Sequence, residues 1–258
     1  MLNNLLAAFV LLTRLPFWRI REVPARSFRH IIGYWPLVGW LTGGVMAGVL
    51  WIGAQVLPVG VAWLLAIVAR LLLTGCIHED GLADFIDGFG GGSTRERTLA
   101  IMKDSHIGSY GVVGLIVYFL LLTRLAQLPL SLLCMAVLSG DCLGKMCASH
   151  ATIHLPYARR REDSKLGSIY APMTGPETLL NLRCGLLPTA LLCPVYLWPA
   201  VALPLGVAAL LYGLMRRRLQ GYTGDCCGAA FLLCELSFYL GVLALYLVHN
   251  AEVYELFH

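Results

Sequence analysis

Apolar residues dominate seven stretches of this chain, at roughly 34–53, 61–77, 107–123, 130–149, 179–197, 199–215 and 227–248. A spanning helix needs about 20 mostly apolar residues, so the pattern predicts about seven transmembrane helices. The 61–77 stretch is short and carries Arg70, which suits a tilted helix packed within a bundle. Residues 4–13 are too short to span and run into Thr13-Arg14-Leu15-Pro16, as an interfacial or re-entrant segment would.

Composition agrees with this pattern. Of 258 residues, 58% are hydrophobic and 13% charged, about half the charge of a soluble domain. A soluble globule of this kind could not coat itself. No polar linker splits the chain, so residues 1–258 read as a single integral membrane domain, an all-α polytopic bundle. Nine cysteines sit mostly in apolar runs without a CxxC pair, which excludes a zinc site or disulfide framework. The start lacks a basic n-region and a small-residue cleavage site, so no removable signal peptide is expected.

Charge sets the orientation. Seven spans place segments 1–33, 78–106, 150–178 and 216–226 on one side, with 15 Lys and Arg, and Arg183 just inside the next helix makes 16. Arg160, Arg161 and Lys165 are among them. The opposite side has Arg124 alone. By the positive-inside rule the N-terminus is cytoplasmic and the C-terminus, with Glu252 and Glu255, is outside. Of 15 acidic residues those two alone lie outside, so any chemistry faces the cytoplasm. No internal repeat is visible, which argues against an inverted-repeat transporter.

The segment His78-Glu79-Asp80-Gly81-Leu82-Ala83-Asp84-Phe85-Ile86-Asp87-Gly88-Phe89 holds four carboxylates in nine residues. As a helix it gathers Asp80, Asp84 and Asp87 within an arc of about 60°. Leu82, Phe85, Ile86 and Phe89 form the opposite, buried stripe, and Gly90-Gly91-Gly92 stops the helix. Glu79 lies about a quarter turn off the acidic stripe. Clustered carboxylates repel, and a hard divalent cation such as Mg²⁺ relieves this while keeping sites for water or phosphate. A solvated acidic face is the plain alternative, but no Lys or Arg is interleaved between 78 and 94. Arg95, Arg97 and Lys103 follow, as a clamp for a polyanion would. Asp104 is a candidate fifth ligand or general base, and His78 and His106 are candidate proton shuttles.

Further polar residues lie on the same side or within spans. Asp141 and Lys145 are spaced for an intramembrane ion pair. Glu235 is expected to meet Arg70 or a loop cation. The runs Tyr157-Ala158-Arg159-Arg160-Arg161 and Arg216-Arg217-Arg218 suit phosphate or lipid headgroups equally. In Gly221-Tyr222-Thr223-Gly224-Asp225 two glycines frame a turn where backbone could approach a ligand.

These residues resemble the cobalamin synthase (adenosylcobinamide-GDP ribazoletransferase) family. The resemblance lies in His78 to Gly88, Thr13-Arg14-Leu15-Pro16, Tyr34-Trp35-Pro36-Leu37-Val38-Gly39, Ile101 to Gly111, and Gly221 to Asp225. Departures are confined to Arg218-Leu219-Gln220 and Cys226-Cys227. The resemblance implies an enzyme of the bacterial inner membrane, working at a late step of cobalamin synthesis. It joins adenosylcobinamide-GDP to α-ribazole, or its 5′-phosphate, and releases GMP. Mg²⁺ is then expected on Asp84 and Asp87 with Asp80 and Glu79. Asp104, with Asp87, is expected to serve catalysis, and Arg14, Arg95, Lys103, Ser105 and Asp225 to bind substrate. Besides these substrates and the lipid bilayer, the partners it allows are a second copy of the chain or other cobalamin-assembly enzymes, and no nucleic acid is expected. Asp84-x-x-Asp87-Gly88 also echoes the opening of the CDP-alcohol phosphotransferase motif, whose later elements do not follow. A membrane prenyltransferase carries two separated Asp-rich motifs, where one is evident. A transporter would need ions through the whole membrane depth.

Overall fold

The computed structural model describes residues 1–159 and 170–257, the side chains of 252–257 excepted. Arg160, Arg161 and Lys165, assigned above to the basic side, lie outside the described residues. Among the described residues the chain forms helices α1 Leu2–Leu12, α2 Trp35–Gly53, α3 Val59–Thr74, α4 Ile77–Gly91 and α5 Arg95–Ile101. They are followed by α6 Ser109–Thr123, α7 Leu130–His154, α8 Gly175–Leu192, α9 Ala202–Leu219 and α10 Gly224–Phe257. Short 3-10 turns lead into several of these. No strand forms among the described residues, and one isolated bridge pairs Tyr157 with Tyr222.

Among the described residues, five helices are long and apolar enough to cross a membrane: Ile32–Gly53, Ser109–Gln127, Leu130–His154, Val195–Leu219 and Gly224–Ala251. A sixth crossing exists if the bent pair α3–α4 is counted as one. The chain is thus a multi-pass helical bundle, and the expected seven spans shrink at two places for separate reasons. The 61–77 stretch ends at Thr74 and turns by 89° into α4. Gly75 and Cys76 both take left-handed backbone, at φ 66° and 59°, which no helix can continue through. The 179–197 stretch forms α8, whose Glu177, Asn181 and Arg183 dilute its apolar character. A capping box from Thr174 and Glu177 starts that helix. Helix α1, of 11 residues, is about 16 Å long and too short to cross alone.

Helix α7 forms the centre of the bundle and packs on α2, α8 and α10. Small residues bring these helices close: a Cβ on Gly39 would lie 2.9 Å from Cys142 Cα, and one on Gly43 3.0 Å from Leu138 Cα. Outward, Leu72, Val113 and Leu210 are exposed apolar side chains of the kind that face lipid.

Among the described residues, the Arg, Lys, Asp and Glu side chains of the core are partnered. Arg70 on α3 donates from Nη1 to both oxygens of Glu235 on α10, at 2.7 and 2.6 Å. The expected meeting of Glu235 with Arg70 is therefore present. Tyr239 donates to Glu235 at 2.8 Å, and Arg70 Nη2 donates to Tyr118 at 2.9 Å. Asp141 and Lys145 pair at the expected spacing, and Thr42 donates to Asp141 at 2.8 Å.

Candidate active site

The acidic segment is the helix its periodicity predicts, running from Ile77 to Gly91. Leu82 and Phe85 are buried as expected, and Ile86 and Phe89 are half-buried against the core. The carboxylates, however, do not share one environment. Glu79 is buried, 3.5 Å from Arg70. Asp80 is exposed, Asp84 half-buried and Asp87 buried. The helix packs its C-terminal half against α6 and its N-terminal half against α10, so a single solvent-facing stripe of acids does not form.

Asp87 has a defined task. Its oxygens accept the backbone N–H groups of Gly108 at 2.7 Å and Gly111 at 2.8 Å. Both donors lie at the start of α6, whose first N–H groups have no partner within the helix. Asp87 thus caps α6 from a neighbouring helix, with the sign of charge that the helix N-terminus favours.

The opposite end of α4 meets α10. A Cβ on Gly81 would lie 3.1 Å from the Cα and the carbonyl oxygen of Asp225, and one on Gly228 3.2 Å from the carbonyl of His78. Asp80, Asp84 and Asp225 therefore stand at one crossing, since Gly81 and Asp84 are one turn apart on α4. Arg159 donates to Asp225 at 3.0 Å and to the carbonyl of Met102 at 3.2 Å. The Tyr157–Tyr222 bridge brings Arg159 here: Ala158 N–H donates to Tyr222 at 2.8 Å, and Tyr222 N–H to Pro156 at 2.9 Å. In the glycine-framed turn, Gly221 lies against this bridging backbone, whereas Gly224 borders open space.

Two cavities flank α4. The first, of about 240 Å³, is lined by His78, Asp80, Lys145, Arg159, Asp225 and an apolar wall that includes Trp35 and Phe231. The second, of about 560 Å³, is lined by Asp87, Arg97, Asp104, His106 and Tyr110 among others. Asp80 and Asp87 are seven residues apart, or about 10 Å along the helix. The expected site residues are divided between these two places, with Asp80 and Asp225 in the first and Asp87 and Asp104 in the second.

The remaining expected residues fall as follows. Asp104 is exposed and accepts from His106, at 3.0 Å from its backbone N–H and 2.7 Å from Nδ1. These hydrogen bonds hold its carboxyl below the ordinary aspartate value. Arg95 is engaged by two carbonyls, Leu219 at 2.8 Å and Ala158 at 2.6 Å, so it fastens α5 to the end of α9 and to the bridge. Arg14 lies against Gly75 at the α3–α4 bend. Lys103 and Ser105 are exposed in the loop after α5. Arg159 is the residue whose importance the sequence understates. It sits in a basic run, and the bridge to Tyr222 is what brings it to this cavity.

Among the described residues no three His, Cys, Asp or Glu gather closely enough to cage a metal ion by themselves. Asp80 and Asp225 line the first cavity, and Asp84 lies a turn further along α4. Carboxylate oxygens are the donors a hard divalent cation takes, the rest of its sphere being water and phosphate oxygens.

The chain matches a family model described as Cobalamin-5-phosphate synthase over residues 4–243. A protein of Shewanella sp. (strain W3-18-1), named "Adenosylcobinamide-GDP ribazoletransferase", is 36% identical over 242 residues, covering 92% of each chain. One of the same name from Shewanella halifaxensis (strain HAW-EB4) is 37% identical over 251 residues, covering 95% of this chain and 96% of the relative. No solved structure matches.

Proposed function

The chain belongs to the cobalamin-5-phosphate synthase family, and from that premise we propose that it joins adenosylcobinamide-GDP to α-ribazole, or its 5′-phosphate, with release of GMP. The observation that carries the reading is the meeting of Asp80, Arg159 and Asp225 at one cavity beside the α4–α10 crossing. Anionic and cationic groups side by side suit a pyrophosphate and the charge that builds on its leaving half.

The reaction is a displacement at phosphorus. A ribazole hydroxyl oxygen bonds to the cobinamide-bound phosphorus. The bond from that phosphorus to the bridging oxygen breaks, and GMP leaves with the electron pair. The hydroxyl proton passes to a carboxylate: Asp80 and Asp225 line this cavity, and Asp104, kept ionised by its bonds from His106, lines the neighbouring one. Arg159 steadies the phosphate end of the donor, while its bond to Asp225 fixes the guanidinium in place. Magnesium would be held by Asp80, Asp84 and Asp225 together with the pyrophosphate, and would supply neutralisation of the departing charge.

The site faces the cytoplasm from the bacterial inner membrane. Support comes from Arg95, Arg159 and Arg218, which the fold gathers around α5 beside the site, and from the positive-inside rule. Incubating purified protein with adenosylcobinamide-GDP, α-ribazole and Mg²⁺ is expected to yield cobalamin and GMP. Asp84→Asn is expected to abolish this turnover in a folded, inserted protein. Normal turnover in that variant would sink the metal reading.

A further inference from the structure

Beside Asp80, Arg159 and Asp225, the first cavity has aromatic walls made by Trp35, Tyr157, Tyr170 and Phe231. Trp35 stands edge-on to Tyr170 at 6.1 Å between centroids, and His78 edge-on to Phe231 at 4.7 Å. Two ring nitrogens of this lining, Trp35 Nε1 and His78 Nδ1, are buried and have no hydrogen-bond partner among the described residues. Their residues are 6% and 7% exposed. Arg159 Nε is a third such atom, and because buried polar groups are nearly always paired in native proteins, three orphans on the lining of one cavity mark a place where a ligand completes the bonding. An indole N–H can only donate, which makes the missing partner of Trp35 an acceptor.

We propose that this cavity is the acceptor subsite and takes the benzimidazole ring of α-ribazole, whose free ring nitrogen accepts the Trp35 N–H; the inference rests on the ribazoletransferase reading. The ring is flat and nearly apolar, as the walls are. Its single unsubstituted nitrogen is an acceptor, matching the indole. The size agrees as well. About 240 Å³ lies below the roughly 300–1,000 Å³ of pockets that enclose a whole drug-sized ligand. There is room for one bicyclic ring and none for a corrin. Guanine, the other flat base in the reaction, carries several donors and acceptors on its edges, and most would go unpaired against these walls. With the ring seated, the ribose is left for the polar groups, Asp80, Arg159 and Asp225, where its hydroxyl meets phosphorus. His78 Nδ1, a donor or an acceptor according to its tautomer, suits a sugar hydroxyl, which is both.

The test compares α-ribazole with its carbon isostere, the dimethylindole riboside, as acceptors for the full-length protein in detergent. The wild type is expected to show a KM about 5- to 10-fold lower for α-ribazole, the size of one net hydrogen bond. Trp35→Phe is expected to raise the KM for α-ribazole to that of the isostere, and to leave the KM for adenosylcobinamide-GDP unchanged. A variant that keeps the discrimination overturns the proposal. Should Trp35→Phe fail to fold, the wild type alone decides, because equal KM values for the two acceptors also overturn it. A wild type that turns over neither acceptor removes the underlying functional reading, whereas brisk turnover without discrimination removes only the subsite.

Discussion

Arg70 and Glu235 are 165 positions apart and meet inside the bundle, with one guanidinium nitrogen 2.7 and 2.6 Å from the two carboxylate oxygens. The other terminal nitrogen of Arg70 reaches Glu79 at 3.5 Å. One side chain thus ties the longest helix of the bundle to the first turn of the acidic helix. Because α3 ends four residues beyond Arg70, the same contact fixes the bend from which α4 departs. The buried ion pair is a positional device for the cavity beside Asp80.

Glu235→Gln tests that device. The variant keeps the shape but removes the charge that balances a wholly buried guanidinium. Breaking a buried pair in this way costs about 3–5 kcal/mol. The expected result is a marked fall of the unfolding midpoint in detergent, together with loss of turnover. An unchanged midpoint would show that Arg70 is balanced by Glu79 alone.

Asp80 and Asp87 are expected to separate activity from stability. Asp87→Ala strands the N–H groups of Gly108 and Gly111 at the start of α6, at about 1–3 kcal/mol for each buried donor. Asp80→Asn changes an exposed side chain and is expected to alter stability by no more than about 0.5 kcal/mol. Turnover is expected to collapse in Asp80→Asn despite a normal melting profile. If the melting profiles of the two variants coincide, the capping role of Asp87 is wrong.

That contrast also shows what the sequence could reveal. Helix α4 and its glycine stop follow from the helical period, and the cost of an isolated charge in a membrane demands a partner for Glu235, with Arg70 or a loop cation to choose from. The capping by Asp87 depends on residues 21 and 24 positions later landing beneath it, and no local pattern encodes that placement. Arg95 is similar, because its carbonyl partners lie 63 and 124 positions away. A basic side chain near an acidic helix reads as a phosphate ligand until the fold supplies those carbonyls. The bend at Gly75 is hidden for another reason. Apolar residues continue on both sides of it, so the hydrophobic run passes straight through a break made by backbone conformation.

The Asp104–His106 pair gives a pH prediction. Hydrogen bonds from His106, side chain first and backbone second, favour the ionised carboxylate and hold its pKa below the ordinary value of 3.8. A depressed carboxyl contributes above its unfolded pKa, and the contribution is lost as pH falls through the folded one. The group therefore stays ionised through the neutral range. If Asp104 accepts the proton, the acid limb of kcat/KM lies below the usual carboxylate range, and His106→Ala moves that limb upward. A limb that does not move in His106→Ala assigns proton acceptance to another carboxylate.

Gly75 offers a test of the bend itself. Its φ of 66° costs an L-residue about 1–2 kcal/mol. A Cβ there would also strike the guanidinium of Arg14. Gly75→Ala is therefore expected to destabilise the protein by more than the backbone cost alone. Adding Arg14→Ala removes the obstruction and leaves the backbone strain, so the double variant is expected to recover part of the loss and stop about 1–2 kcal/mol short of the Arg14→Ala parent. Unfolding midpoints of the four proteins in one detergent measure both parts. Full recovery in the double variant would mean that the turn relaxes out of the left-handed region. Additive losses would place Arg14 away from the bend.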